Sequence, residues 1–249
     1  MVYFYDGTKD GFLTAFTRAF TDENALLFSG EFTQLPLGQA VWQVDTDYKI
    51  AKKAETRLLS FDGGCIDELS LLLRAKEHGG ETVAFAYFKR LAERKRPIRE
   101  DLTKDYVLKA QTLLKRIRLE IHRLHGFIRF MQTANGVLYA PFAPDYDICD
   151  LLLPHFRARL TGIPLVLHDT ARKKACFYDG KNSFVAPLPQ AEVLLAEEET
   201  AWQELFKRYY EAVNIPERER IKQMNGYMPK RYQKFMTERQ NTGKGQGFL

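Results

Sequence analysis

The arrangement of apolar and polar positions predicts a chain that begins mostly helical and then alternates strands with helices. After a short strand at residues 3–5, Phe12, Phe16 and Phe20 recur at helical spacing. A loop follows at residues 31–38, with a strand at 40–44. Further helices are predicted over residues 47–59, 66–78 and 81–96, the first of them capped by Asp47.

The clearest helix covers residues 102–124. Its apolar positions step by three or four along one stripe: Tyr106, Ala110, Leu113, Ile117, Ile121 and Leu124. Basic side chains occupy the opposite side, at Lys104, Lys115, Arg118 and His122. Gly126 is expected to end this helix.

Alternating patterns predict strands after this helix. Residues 127–133 and 137–142 pair around Asn135-Gly136, a strong hairpin signal. A helix through residue 160 follows, which Asp145 or Asp147 could cap and which Pro154 must kink or restart. Three more strands are expected at residues 164–168, 174–178 and 183–186, with a turn at 179–182 and a helix over 196–213.

Runs of helices followed by local hairpins favour an α+β fold with an antiparallel sheet over parallel βαβ units. The sequence predicts one domain over residues 1–240: a mostly helical part (1–100), a long helix with the antiparallel sheet (101–195) and C-terminal helices (196–240). Pro216 opens the last helical segment. The Gly-rich residues 241–249 are expected to form a flexible tail.

The net charge of +5 is unevenly distributed along the chain. Residues 1–85 carry eight basic against thirteen acidic side chains, a net −5, and residues 86–124 carry twelve against five, a net +7. Residues 125–206 carry seven against ten, a net −3, and residues 207–249 carry ten against four, a net +6. Two basic blocks on an acidic body are typical of a protein that binds a polyanion, although helices can also carry such charge on a solvated face.

Several classes of protein are disfavoured. The apolar runs are shorter than the roughly 20 residues of a membrane helix, so we expect a cytoplasmic protein with no membrane partner. Cys65, Cys149 and Cys176 form no CxxC pair and are expected to be reduced core thiols. Phosphate-loop, dinucleotide, zincin and serine-hydrolase motifs are missing from the sequence, so we expect no cofactor and no resident metal.

An enzymatic role would depend on acids and imidazoles. The candidate catalytic residues are His122, Asp145, Asp147 and His155, to which Asp150, Asp169 and His125 add similar chemistry. Such a cluster could hold a divalent ion and activate water. Acids at a helix start also serve as caps, and His168-Asp169 could equally close a strand end.

Candidate nucleic-acid contacts combine cations with aromatic rings. Strand alternation over residues 127–133 would put Phe127 and Arg129 on one face, where they could stack on unpaired bases. Alternatively, Arg129 pairs with a buried acid such as Asp145 or Asp147. The complete predicted contact set is Lys104, Lys115, Arg118, His122, Phe127, Arg129, Arg218, Lys230 and Arg231.

Five segments carry a resemblance to a known family: Tyr5-Asp6-Gly7-Thr8, His122 through Phe130, Pro144-Asp145-Tyr146-Asp147, His155-Phe156, and Gly226 through Tyr232. With these the chain resembles a bacterial family of DNA metabolism and repair proteins of undefined activity. The resemblance implies a DNA context and, as partners, a radical-SAM protein encoded nearby and a uracil-DNA-glycosylase-like domain fused to some relatives. It supplies no catalytic residues, and this sequence has no CxxxCxxC cluster motif.

The sequence therefore predicts a DNA-binding accessory protein of repair or modification. Two alternatives remain: a metal-assisted hydrolase acting on nucleic acid or nucleotides, and an adaptor that joins a repair enzyme to other proteins.

Overall fold

The computed structural model describes residues 1–30, 40–215 and 220–239. The chain forms two compact units, Met1–Arg118 and Leu119–Leu249, and the boundary between them falls inside the longest helix. The predicted loop at 31–38, the helix start at Pro216 and the tail at 241–249 lie outside the described residues.

The first unit contains a three-stranded parallel sheet. Strand β1 (Val2–Tyr5) lies between β2 (Leu26–Ser29) and β3 (Val41–Gln43). Helix α1 (Lys9–Ala19) connects β1 to β2. The remaining helices of the unit are α2 (Tyr48–Phe61), α3 (Cys65–Leu72), a 3-10 helix (Leu73–His78) and α4 (Gly80–Arg94).

Local sequence explains where these helices begin. The Thr8 side chain accepts a hydrogen bond from the Gly11 amide at 2.9 Å and caps α1. Asp47 accepts from the amides of Lys49 and Ile50 and caps α2, which confirms its predicted role. Gly79 adopts φ +72° between the 3-10 helix and α4, a conformation that glycine reaches at low cost.

The second unit is built around a five-stranded sheet that follows the end of α5 (Asp105–Phe127). Its strands, in spatial order, are β4 (Met131–Gln132), β5 (Leu138–Phe142), β6 (Leu165–Asp169), β7 (Lys174–Tyr178) and β8 (Ser183–Pro187). Helix α6 (Cys149–Arg159) connects β5 to β6. The C-terminal elements are α7 (Glu199–Val213), α8 (Ile221–Tyr227), α9 (Lys230–Gln233) and a 3-10 helix (Thr237–Arg239).

The α+β class is confirmed, and so is the hairpin at Asn135-Gly136. Met131 pairs with Tyr139 across it, and Gly136 has φ +80°. The expectation of an antiparallel sheet needs correction, because β5 and β6 run parallel while the other neighbours in this sheet are antiparallel. The reason is α6, whose length lets the chain cross back and enter β6 in the same direction as β5.

The prediction of a strand that starts at Phe127 is also wrong. Helix α5 runs one residue past Gly126, the amide of Ile128 still donates to the Leu124 carbonyl at 3.1 Å, and residues 128–130 have no regular structure. The Arg129 guanidinium donates to the Gly126 carbonyl at 2.9 Å, so a side chain satisfies this helix end. Strand alternation therefore does not place Phe127 and Arg129 on one face.

Neither Asp145 nor Asp147 caps the helix that follows them. The N-cap of α6 is Ile148, which makes no side-chain cap bond. Both aspartates instead bind cations distant in sequence, Asp145 with Arg231 at 2.6 Å and Asp147 with Lys174. Pro154 lies inside α6, which continues to Arg159.

The cysteines are the buried free thiols that the sequence predicts. Burial, with the nearby charges of Asp62 and Glu68, raises the pKa of Cys65 to about 12. A hydrogen bond with Cys176 and burial also raise the pKa of Cys149. Cys65 and Cys149 therefore stay protonated at neutral pH and are weak nucleophiles. Across the described ranges, no helix combines the length and apolar content needed to cross a membrane.

Candidate nucleic-acid interface

Helix α5 presents a cationic side to solvent. Its buried side is formed by apolar residues that include Ala110, Leu114 and Ile117. Lys115, Arg118 and His122 are exposed and lie within about 60° of one another around the helix axis. Lys104 is exposed just before the helix begins. The structure thus leaves these four predicted contact residues on accessible surface.

The cations of this side differ in their surroundings. No ion pair of Lys115 is found within the described part of the chain. Arg118 acts electrostatically on the buried carboxyl of Glu68. Burial raises the pKa of Glu68, and the positive charges of Arg99 and Arg118 oppose that increase. Lys109, nearer the start of the helix, is paired with Asp105 at 2.7 Å. Lys115 is therefore the best placed of these residues to meet a phosphate.

Arg129 occupies an internal ion pair rather than an open aromatic face. Its guanidinium lies 2.7 Å from the Oε1 atom of Glu238, a side chain only 3% exposed. The same guanidinium lies 5.9 Å from the ring centre of Phe206. The alternative in which Arg129 pairs with a buried acid matches this geometry, although the partner is Glu238 and neither Asp145 nor Asp147.

Arg231 belongs to a network around a buried carboxylate. Glu120, on the inner side of α5, accepts hydrogen bonds from the amides of Asp145 and Tyr146 at 2.9 and 3.0 Å. It also accepts from the Tyr232 hydroxyl at 2.5 Å and the Arg231 guanidinium at 3.0 Å. Burial and the neighbouring Glu120 raise the pKa of Tyr232, so its hydroxyl remains a donor. This network connects three segments of the second unit.

The remaining predicted contacts have separate locations. Phe127 is half-buried, with its ring 6.2 Å from that of Tyr232. Lys230 is exposed at the start of α9. Arg218 lies outside the described residues.

Two of the candidate catalytic residues are carboxylates bound by cations, and the other two, His122 and His155, are histidines that neighbour His125. Asp145 and Asp147 are bound by cations, as described above, and His122 is exposed on α5. His155 stacks on His125, with ring centres 4.1 Å apart and planes inclined by 14°. Asp169 is buried and accepts hydrogen bonds from the Ala171 and Arg172 amides. No cluster of three or more His, Cys, Asp or Glu side chains able to hold a metal occurs among the described residues.

The stacked histidines make stability depend on pH. Burial, together with the charges of His155 and His122, lowers the pKa of His125 below its ordinary 6.5. The unfolded chain then binds protons more readily than the folded chain, so the contribution is complete above pH 6.5 and is lost as pH falls through the folded pKa. Burial also lowers the pKa of His168. We expect the urea midpoint to decrease as pH is lowered from 7 towards 5.

Phenylalanine at both stacked positions is the matched test of this prediction, because it keeps two rings in contact and removes their protons. The His125→Phe/His155→Phe variant should show a shallower decrease of the urea midpoint below pH 6.5, with His168 accounting for the residual slope. A slope equal to that of the unmodified protein would show that His125 contributes nothing to the pH dependence.

Sequence reasoning missed one aromatic surface. The strand register aligns Tyr139, Val166, Phe177 and Phe184 in one row across β5 to β8. Phe177 and Phe184 stack with ring centres 5.0 Å apart and planes inclined by 11°. Phe184 is 61% exposed, because α6 packs on the opposite face of the sheet, where Cys149 Sγ donates to the Leu167 carbonyl. Only a strand register, which the sequence did not provide, could have revealed this row.

An open cavity of about 520 Å³ lies along the same face. Tyr139, Val166 and Phe177 line it, and residues 191–194 form another side. The Tyr139 hydroxyl lies 2.6 Å from Nδ1 of His168, and Nε2 of that ring lies 2.9 Å from the Leu188 carbonyl. Burial raises the pKa of Tyr139 to about 12, so its hydroxyl donates to Nδ1 and Nε2 carries the imidazole proton. The cavity wall therefore carries ring faces, and the Tyr139 hydroxyl in that wall is held by a buried neutral histidine.

The fold and these surfaces define an α+β protein with a cationic helix and an exposed aromatic sheet face. The chain belongs to the DUF4130 family, a domain of unknown function, whose family model matches residues 78–238. The match includes His122 through Phe130 and Gly226 through Tyr232, while residues 1–77 lie outside it. No curated protein matches the chain.

Proposed function

We propose that this protein binds nucleic acid as an accessory to a DNA repair or modification enzyme. The observation that carries the proposal is the exposure of Lys115 and Arg118 on one side of α5, opposite its buried apolar stripe. Neutralising phosphates with such side chains releases counterions and drives binding. The resemblance of His122 through Phe130 to DNA metabolism proteins supports the DNA context, with the radical-SAM protein and the glycosylase-like protein as candidate enzymes.

The exposed Phe184 ring supports a preference for unpaired bases. Flat rings on a sheet surface stack on bases without regard to sequence, and duplex DNA keeps its own bases stacked. The ring stacks on Phe177, which holds the two ring planes nearly parallel. The α5 cations would engage phosphates, and the sheet face of the second unit would, as a separate surface, stack on single-stranded bases.

The cationic side of α5 is tested by replacing Lys115 and Arg118 with alanine. We expect DNA affinity to decrease about tenfold near 0.1 M salt, and the slope of log affinity against log salt to become shallower by about 0.7 to 0.9 per lost phosphate contact. Fluorescence anisotropy with single-stranded and duplex oligonucleotides over a salt series provides both values.

A matched control removes the same charge elsewhere. Lys53 and Arg57 are exposed on α2 within the acidic first part of the chain, and their replacement by alanine should leave the salt slope unchanged. Melting temperatures of all variants exclude unfolding as a cause. Equal binding by the α5 variant and the unmodified protein would contradict the proposal and favour the adaptor alternative.

The aromatic surface is tested by Phe184→Ala. Because one stacked base contributes about 1 to 3 kcal/mol, affinity for single-stranded DNA should fall roughly tenfold or more, with little change for duplex DNA. Val185→Ala is the control, since Val185 is adjacent and exposed but points to the other sheet face. An equal loss for both nucleic acids would refute base stacking at this position.

A further inference from the structure

Helix α7 has an apolar side that faces away from the described residues of its unit. Trp202 and Tyr209 are each 61% exposed, and Leu205, Phe206 and Val213 are exposed as well. At 100° per residue these five side chains, with Ala201 and Ala212, cover a stripe about 140° wide. Soluble proteins seldom leave so continuous an apolar surface uncovered.

The polar residues of α7 make its contacts within the unit. Glu199 is buried and accepts a hydrogen bond from the Gln132 amide at 2.9 Å. Tyr210 accepts one from Arg239 at 2.7 Å. An amphipathic helix normally packs its apolar side inward. Here the attachment is largely polar, the Phe206 ring lies beside Arg129 at one edge of the stripe, and the rest of the apolar stripe is left for another surface.

We propose that this stripe is the interface of a symmetric dimer, in which α7 of one copy packs antiparallel against α7 of a second copy. The exposed parts of Trp202, Leu205, Phe206, Tyr209 and Val213 amount to about 600 Å² per copy, so two copies would bury roughly 1,200 Å². That area reaches the lower range of stable protein interfaces. A two-fold axis also lets one apolar patch meet itself, which is how most homodimers form.

The charges around α7 favour this occupant and this orientation. Glu197 and Glu198 precede the helix and are exposed, so a parallel pair would bring four carboxylates together, whereas an antiparallel pair places them at opposite ends, about 20 Å apart. The outer polar side carries Glu204 and Glu211 beside Arg208. Without an excess of cations this side does not suit an anionic membrane or a nucleic acid.

Sedimentation equilibrium on the full chain tests the dimer. The unmodified protein should associate reversibly, and Leu205→Glu/Tyr209→Glu should raise the dimer dissociation constant by about 30-fold or more, as for central interface residues. Both positions are exposed, so the circular dichroism spectrum should not change. Glu211→Lys, on the opposite side of α7, is the matched control and should leave the dissociation constant unchanged.

Cysteine crosslinking tests the orientation, since the three natural thiols are buried. Phe206→Cys, near the middle of the stripe, should form a dimer under mild oxidation, and Trp202→Cys, near one end, should not. Efficient crosslinking of the Trp202 variant would contradict the antiparallel arrangement. A chain that stays monomeric at about 100 µM, or that binds lipid vesicles through this stripe, would overturn the proposal.

Discussion

Replacing Glu120 with alanine should lower the free energy of unfolding by about 3 to 5 kcal/mol. Glu120 is buried, and its carboxylate accepts from two backbone amides, the Tyr232 hydroxyl and Arg231. Alanine leaves all four donors without this acceptor and, among the described residues, leaves Asp145 as the acid paired with Arg231. Donors that remain buried without a partner cost more than the hydrogen bonds themselves contribute. Urea unfolding followed by far-UV circular dichroism measures the change.

Two further variants separate charge from hydrogen bonding in this network. Glu120→Gln keeps one acceptor oxygen, so its free energy of unfolding should lie between those of the alanine variant and the unmodified protein. Tyr232→Phe removes a single donor and should cost about 1 kcal/mol. If the alanine variant lost less than 1 kcal/mol, the network would not hold α9 and the residues before α6 to α5 as described.

Replacing Arg129 with alanine should destabilise the protein by about 2 to 3 kcal/mol, because the buried carboxylate of Glu238 loses its cation. The value is below that for Glu120 since Arg129 is 27% exposed. The variant also removes the guanidinium that donates to the Gly126 carbonyl, so the end of α5 should fray. Urea unfolding measures the stability, and amide exchange near Phe127 measures the fraying.

A double-mutant cycle with Glu238→Ala distinguishes this structural role from base stacking. If loss of the Arg129–Glu238 ion pair causes the destabilisation, the double variant should lose less free energy of unfolding than the two single variants lose together. Single-stranded DNA affinity at a temperature where every variant is folded should stay within about twofold of the unmodified protein. A larger loss of affinity in a fully folded Arg129→Ala variant would instead support the stacking alternative.

Local signals accounted for most elements and for part of the candidate site. The Asp47 cap, the stripe of α5, the Asn135-Gly136 hairpin and the turn at residues 179–182 each depend on a few neighbouring residues, and each occurs as predicted. Exposure of Lys115 and Arg118 followed from the same helical periodicity. Errors arose where a residue's partner lies far along the chain, as for Asp145 and Asp147.

The sequence by itself determined the α+β class, the free thiols and which side of α5 carries charge, because spacing and residue chemistry act over a few residues. Only the tertiary structure decided that Glu238 pairs with Arg129 and that Glu120 accepts hydrogen bonds from four donors. It also decided that Phe177 and Phe184 lie in one row of a mixed sheet. Such pairings join residues up to 112 positions apart. They depend on strand register and helix packing, which hydrophobic periodicity does not specify.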